Sequence, residues 1–574
     1  MVYHIADNVT SPLGNTTEQN YLSVKSGNSA LRYYENHWGL PEPFTAALFT
    51  AEQNQAMAID NMTRFESLVI HSARQAIDQS GINVSAPNVV FVLGTTKGNI
   101  EELEDNRLVP SIYYPGDTAQ RIALKLGFTT TPVVACNACI SGVSAIILAM
   151  RLLEKGAYDY AVVCGADVQN KFTVSGFQSL KAVSQEPCRP FDLERLGLNL
   201  GEAAATLVLS SDRVAQQGDH WCIESGAVRN DAFHVSSPSK NGEGARLALC
   251  GTRADSVVGQ LAFINAHGTA TMFNDQMESV AIERAGLNDV PVNALKGYYG
   301  HTMGAAGVLE TVISIRAAQD NMVLGTRGFS ERGVSGKIRL SSQNQQTDKE
   351  SFVKMISGFG GSNAALLVSK APILPPDDEL PSDYTRTHHV VLTPDQLMVD
   401  GEQREIQPAE GDRITAIYKQ MIGNYPKIYK MDMLSRLALV ATELLLQAEG
   451  AERFTASEDR AVVLFNHSSS IQADRAYLAT IADKEGCFPS PSIFVYTLPN
   501  MATSEVAMRN LFHGETSLYI LPCRDEKAMK QVIEASMLDK STHSMITGWL
   551  DYEDNDHFIA DISIIQNLST RDYD

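Results

Sequence analysis

The chain has 574 residues, 44% of them hydrophobic and 20% charged, with a formal net charge of −21. This length accommodates three or more domain-sized units. The acidic field argues against nucleic acid as a partner, because phosphate binding needs clustered Lys and Arg. No apolar run approaches the ~20 residues of a membrane helix, and the opening Met-Val-Tyr-His-Ile-Ala-Asp lacks the basic and apolar regions of a secretory signal. Eight cysteines contain a single Cys-x-x-Cys pair, Cys136 and Cys139. With no second pair to complete a metal site, a reduced, cytoplasmic protein without a structural metal is expected.

From the first residue to about 372, strands and helices alternate. A helix is predicted over 62–80 and a buried strand over 88–94. A short amphipathic helix follows at 118–126, then a strand at 132–135 that runs into the Cys139 segment. The segment 143–153 is apolar nearly all round and reads as a core helix; 160–165 is again a buried strand. This rhythm predicts a largely parallel α/β sheet. A proline-rich, acidic connector spans 373–386. The remainder, 387–574, follows the opening half of the first domain in the same order. Helix 433–447 parallels 62–80, strand 460–466 parallels 88–94, and Pro491-Ser-Ile parallels Pro110-Ser-Ile. A strand at 517–521, a helix at 527–538 and a strand at 545–550 complete the match, which favours a truncated repeat over chance.

Three distant segments combine reactive side chains with small neighbours. In Ala135 to Gly142, Cys139 falls between a strand and a long helix, with Gly142 three residues later. Such a turn places the sulfur at a helix N-terminus, where the dipole and free N–H groups favour a thiolate and an oxyanion. Cys136 lies closer to the strand and reads as core. In Asn265 to Thr271, His267 ends an apolar strand, and Thr269 and Thr271 offer hydroxyls to an extended polar ligand. In Lys296 to Gly307, His301 precedes a helix start, which disfavours imidazolium and leaves a neutral ring able to donate to an enolate. A fourth segment, Ser357 to Asn363, is a glycine-rich turn whose N–H groups can complete an oxyanion hole. It lacks the Gly-Lys-Ser/Thr of a phosphate loop.

Together with Ser11-Pro-Leu-Gly-Asn, Cys188-Arg-Pro-Phe-Asp, Gly201-Glu-Ala-Ala and Asp231-Ala-Phe-His, these segments resemble the signature of the β-ketoacyl-carrier-protein synthases over residues 1–372. The resemblance implies a thiolase-like, five-layered αβαβα domain built of two similar halves, in a homodimer, a ketosynthase heterodimer or a pseudo-dimer. Residues 387–574 would be a degenerate half of that fold, without catalytic residues; Cys523 has charged neighbours where the acyl group would sit. The family mechanism implies that Cys139 accepts an acyl chain from the phosphopantetheine of an acyl carrier protein. His267 and His301 would assist decarboxylation of malonyl carrier protein and stabilise the enolate. The backbone N–H groups of Cys139 and Phe359 would hold the oxyanion, and Thr269 and Thr271 would bind pantetheine. Lys296 and Glu310 would support the histidines, with Phe359 as a gate. Arg195, Arg121 and Lys125 are candidates for docking the carrier. No cofactor is implied beyond the carrier's arm.

Two departures stand out. The stretch between Gly94 and Pro110 is short for the family, and Tyr298 and Tyr299 replace smaller residues, which suggests a pocket shaped for a flat chain. Fatty-acid, polyketide and aryl-polyene synthesis are the pathway classes implied. The alternatives are a malonyl-carrier decarboxylase or initiating synthase, and a chain-length-factor-like scaffold. A degradative thiolase needs a second cysteine in the late glycine turn, and 357–363 has none.

Overall fold

The computed structural model describes residues 1–104, 110–212, 214, 220–374, 384–408, 410–482 and 488–568. Residues 375–383 of the expected connector and 105–109 of the short stretch lie outside these.

Fifteen strands carry the architecture: β1 (Val2–Thr10), β2 (Val89–Gly94), β3 (Val133–Ala135), β4 (Tyr160–Asp167), β5 (Ala203–Ser211), β6 (Trp221–Asn230), β7 (Phe263–Asn265), β8 (Pro291–Asn293), β9 (Ser351–Gly358), β10 (Ser362–Ser369), β11 (Tyr384–Leu392), β12 (Arg460–Asn466), β13 (Thr516–Ile520), β14 (Ser544–Tyr552) and β15 (Phe558–Asn567). They form three units of identical order. In the first, β3, β2 and β4 run parallel and β5 and β1 follow antiparallel. The second repeats this as β8-β7-β9-β10-β6, and the third as β13-β12-β14-β15-β11. The sheets are therefore mixed, with a parallel centre and antiparallel flank. The helices that matter are α1 (Arg64–Ser80), α2 (Pro115–Leu126), α3 (Ser141–Glu154), α4 (Glu243–Gly251), α5 (Met272–Arg284), α6 (Ala306–Gln319), α7 (Met433–Glu449), α8 (Met501–Asn510) and α9 (Glu526–Ser536).

Burial explains the layering. In α3 every residue from Ser141 to Leu153 is buried, and α6 is buried except at Arg316 and Gln319. Helices apolar on all sides must be central, and these two pack together between the first and second sheets. By contrast α1 is amphipathic, started by a capping box in which Thr63 and Glu66 satisfy each other's main-chain N–H groups; it covers the outer face of the first sheet. Helix α7 does the same for the third sheet, with Asp432 capping its first turn.

The third unit is welded to the first. Strand β13 pairs antiparallel with β3, Tyr519 opposite Ala135 and Ile520 opposite Val134, so the two sheets continue into one another. The edge that β3 would otherwise leave open for another copy is closed within the chain. The Asn137 side chain accepts from the Leu518 N–H at 2.7 Å, and Arg151 of α3 reaches Glu515 at 2.6 Å and Asp539 at 3.2 Å. All three side chains are buried. Removing one partner of a buried ion pair strands the others. Arg151→Met is therefore expected to lower the stability of the full chain by about 3–5 kcal/mol, read as a fall in the urea midpoint; an unchanged midpoint would exclude this weld from the stability of the fold.

Candidate active site

Cys139 and His301 reach the same place by the same device. A short 3-10 turn, Ala138–Ile140, leads into α3, and another, Met303–Ala305, leads into α6. Each turn opens on a residue in the left-handed region, Ala138 at φ 50° and Met303 at φ 53°, a conformation a non-glycine residue holds only when its surroundings impose it. The two helix starts touch backbone to backbone. A Cβ on Gly142 would lie 2.6 Å from the Gly304 carbonyl oxygen, and one on Gly307 would lie 2.5 Å from the Val143 nitrogen. His267 arrives from the end of β7. Its ring meets that of His301 edge to face at 4.9 Å. The Cys139 sulfur and one nitrogen of each ring lie within 4.8 Å of one another, and all three residues are buried.

The N–H groups of Cys139 and Phe359 both lie beside the sulfur and favour its charged form. Both lie where β9 ends beside the turn into α3; Gly358 leaves room there, since a Cβ on it would sit 3.1 Å from the Cys139 nitrogen. Burial nevertheless pushes the thiol up to about 12, against the opposing pull of Lys296. The thiolate expected from the helix dipole is thus not the resting state; desolvation outweighs the dipole. Burial, then Lys296, and then Lys354 hold His301 well below the ordinary imidazole value, and His267 is lowered by burial, Lys296, His301 and Lys354 in that order. Both rings are neutral. The Met303 N–H donates to His301 Nδ1 at 3.2 Å, which leaves the proton on Nε2, a buried atom without a partner among the described residues.

Thiol plus two imidazoles is also a donor set for a soft divalent cation. The His301 tautomer opposes it: a metal on Nε2 would move the proton to Nδ1, where it would face the Met303 N–H. The residues present fit proton-donating chemistry better than ligation.

Lys296 donates to the His267 carbonyl at 2.6 Å and to Glu310 at 2.8 Å, a supporting arrangement. Thr269 and Thr271 bond to each other at 2.8 Å and line a cleft of about 350 Å³ that ends at Cys139, His267 and His301. The exposed Met272 and Phe273 flank its mouth. Phe359 lines the same cleft and stacks on Phe177 at 5.8 Å.

Two expectations fail, the exposure of Arg195 and the reach of Tyr298 and Tyr299 into the pocket. Arg195 is buried, and its guanidinium donates to the carbonyls of Asp192, Gly333 and Met272; it presents no charge to a docking partner. Arg121 is tied to Glu66 at 2.8 Å. Lys125 is exposed, but neither it nor Arg121 lines the cleft. Tyr298 and Tyr299 are buried in the central core and do not reach the cleft.

Four features escaped the sequence reading. Asp167 accepts the Gly304 N–H at 2.7 Å and the Thr95 and Thr96 hydroxyls, fixing the second helix start. Glu278 accepts the N–H groups of His267 and Gly268, each at 2.7 Å. Lys354 is a second buried partner of Glu310. Phe494 and Leu498 of the third unit wall a cavity of about 10 Å³ beside Cys139. Only Lys354 left a signal, a charge inside the otherwise apolar run 352–356.

A buried thiol beside two neutral imidazoles and two main-chain N–H groups fits a condensing or acyl-transferring enzyme. The comparisons are specific. The model of the β-ketoacyl synthase N-terminal domain matches residues 8–215 and that of the C-terminal domain matches 220–330, together more than half of the chain; the chain belongs to the β-ketoacyl synthase family. A 3-oxoacyl-[acyl-carrier-protein] synthase 2 of Vibrio cholerae is 28% identical over 403 residues, covering 63% of this chain and 96% of that one. The crystal structure of a β-ketoacyl synthase from Burkholderia phymatum superposes with TM-score 0.58 at 24% identity, covering 65% of this chain and 99% of that one. The structure of a PfaC ketosynthase–chain length factor superposes with TM-score 0.76 at 14% identity, covering 99% of this chain and 78% of that one. Among the described residues no helix is long and apolar enough to cross a membrane.

The raised thiol sets a pH dependence. Alkylation of Cys139 by iodoacetamide should accelerate with pH, nearly ten-fold per unit, with no plateau below about pH 9. A plateau near pH 7, followed by mass spectrometry of the modified peptide, would mean a preformed thiolate.

Proposed function

We propose that the chain is a β-ketoacyl-carrier-protein synthase that extends an acyl chain held on Cys139. The observation that carries this reading is the convergence of Cys139, His267 and His301 within 4.8 Å, against the N–H groups of Cys139 and Phe359. The phosphopantetheine arm of an acyl carrier protein enters along the cleft past Thr269 and Thr271. Cys139 sulfur attacks the acyl thioester carbonyl, the oxyanion is held by the two N–H groups, and the carrier thiol leaves with the cysteine proton. Malonyl carrier protein then loses CO₂. The electron pair left on carbon is stabilised as an enolate by hydrogen bonds from His267 and His301, and attacks the acyl-cysteine carbonyl. Collapse releases the Cys139 thiolate and a β-ketoacyl carrier protein. Neutral imidazoles suit this chemistry, because they donate to the enolate without protonating its carbon.

The test is incubation with acyl- and malonyl-carrier proteins, with product mass and CO₂ followed together. The wild type should form the β-ketoacyl product. Cys139→Ala should lose condensation by more than about a thousand-fold while CO₂ release persists. A wild type that releases CO₂ without condensation would be a decarboxylase, and the extension reading would fall.

Residues 387–568 act in this reading as a chain-length-setting module. Support comes from Phe494, which packs against Phe172, Phe177 and Tyr477, and from Leu498 beside it; both close the cavity next to Cys139. The similarity of the whole chain to a ketosynthase–chain length factor points the same way. The third unit is joined to the first through β13, so the module acts in cis. Phe494→Ala should open the closed end and shift the product distribution by at least one extension cycle, as read by mass spectrometry. An unchanged distribution in an active variant would remove the third unit from length control.

A further inference from the structure

Lys354 lies in the middle of β9, in the run Phe352-Val353-Lys354-Met355-Ile356, which is wholly inside the protein. An ammonium there is unfavourable unless closely paired. Its partner is Glu310 of α6, whose other oxygen takes Lys296 at 2.8 Å. Each lysine also makes a bond to main chain: Lys296 donates to the His267 carbonyl at 2.6 Å, and Lys354 to the Ala266 carbonyl at 3.4 Å. Two ammoniums sharing one carboxylate thus grip two consecutive carbonyls at the end of β7. The joined segments carry every named group of the site but Cys139: β7 delivers His267, the turn before α6 delivers His301, and β9 runs on to the Phe359 N–H that faces the Cys139 sulfur.

We propose that Lys354 is a positioning residue of this site: with Lys296 it clamps Glu310 and the Ala266–His267 main chain, and so fixes His267 against the strand that supplies an oxyanion donor. The assignment rests on the condensation reading above. It has an electrostatic consequence. Two cations against one anion leave surplus positive charge beside both imidazoles, and Lys354 contributes to the lowering of each. The other titratable groups that feel this cluster include Glu278 of α5, with Asp275 beside it, Tyr299 before α6, and the Cys139 and Cys188 thiols. Burial and Asp275 push Glu278 up to about 7, so at neutral pH it offsets the surplus only in part. Burial brings Lys354 down to about 8, with Glu310 opposing; below that pH it is charged. Deleting its charge makes either ring easier to protonate and moves the acid limb of activity upward.

The experiment is Lys354→Met in the full chain, followed by malonyl-carrier decarboxylation and condensation from pH 5.5 to 9, with circular dichroism as a folding control. A folded variant is expected to lose about ten-fold or more in kcat with KM for malonyl carrier protein little changed, and its acid limb should rise by about one pH unit. An unshifted limb, or a loss equal at all pH values, overturns the proposal. Should Lys354→Met fail to fold, histidine nitrogen NMR of the wild type decides: both site rings must stay neutral through the ordinary imidazole range, and protonation of either within that range overturns the proposal. The failures are distinguishable. A wild type that does not act on malonyl carrier protein refutes the condensation reading, whereas an active wild type whose limb Lys354 does not move refutes only the clamp.

Discussion

Two helix starts pressed together with no side chain between them set the geometry of this protein. Gly142 at the head of α3 and Gly307 at the head of α6 admit the opposing main chain where a methyl group would collide with it. That contact is the pseudo-two-fold centre of the first two sheets. Because each helix is entered through a left-handed residue and a tight turn, the same contact brings the nucleophile of one half beside a histidine of the other. Asp167 secures it from below through the Gly304 N–H.

Around that centre the site is buried, and burial decides its chemistry. The helix N-terminus that favours a thiolate is outweighed by burial of the sulfur, so the cysteine rests protonated. The same desolvation, reinforced by two lysines, keeps both imidazoles uncharged and able to donate. Buried charge is tolerated because it is paired: Glu310 neutralises part of Lys296 and Lys354, and the three together hold the main chain beside His267. One charged cluster thereby serves both position and protonation state.

The third unit extends the principle. Its sheet repeats the order of the other two, but among its described residues no thiol sits on a turn into a helix as Cys139 does; Cys523 is an exposed residue just past β13. What it contributes is contact, through β13 on β3, Lys97 on Asp474 at 2.8 Å, and Phe494 and Leu498 against the cavity beside Cys139. The surface an isolated synthase half would leave open is covered by the same polypeptide.

Much of this was legible in the sequence because it is local. Cys139, His267, His301 and the 358–363 turn sit in short runs of small residues whose spacing reflects backbone contact, and the order of strands and helices followed from hydrophobic period. Arg195 was misjudged because a charged residue in a loop looks solvent-exposed until the carbonyls of Gly333 and Met272 close on it. Tyr298 and Tyr299 were misplaced because neighbours in sequence of a site residue need not face the site. Phe494 and Leu498 lie more than 350 residues from Cys139, and no local pattern relates them to it. The sequence by itself determined which thiol and imidazoles converge and the class of fold that carries them, since both are written in short-range residue patterns. Only the tertiary structure decided the protonation states, the walling of the cavity beside Cys139 by Phe494 and Leu498, and the pairing of Lys354 with Glu310, because these depend on burial and on contacts between segments that no linear spacing encodes.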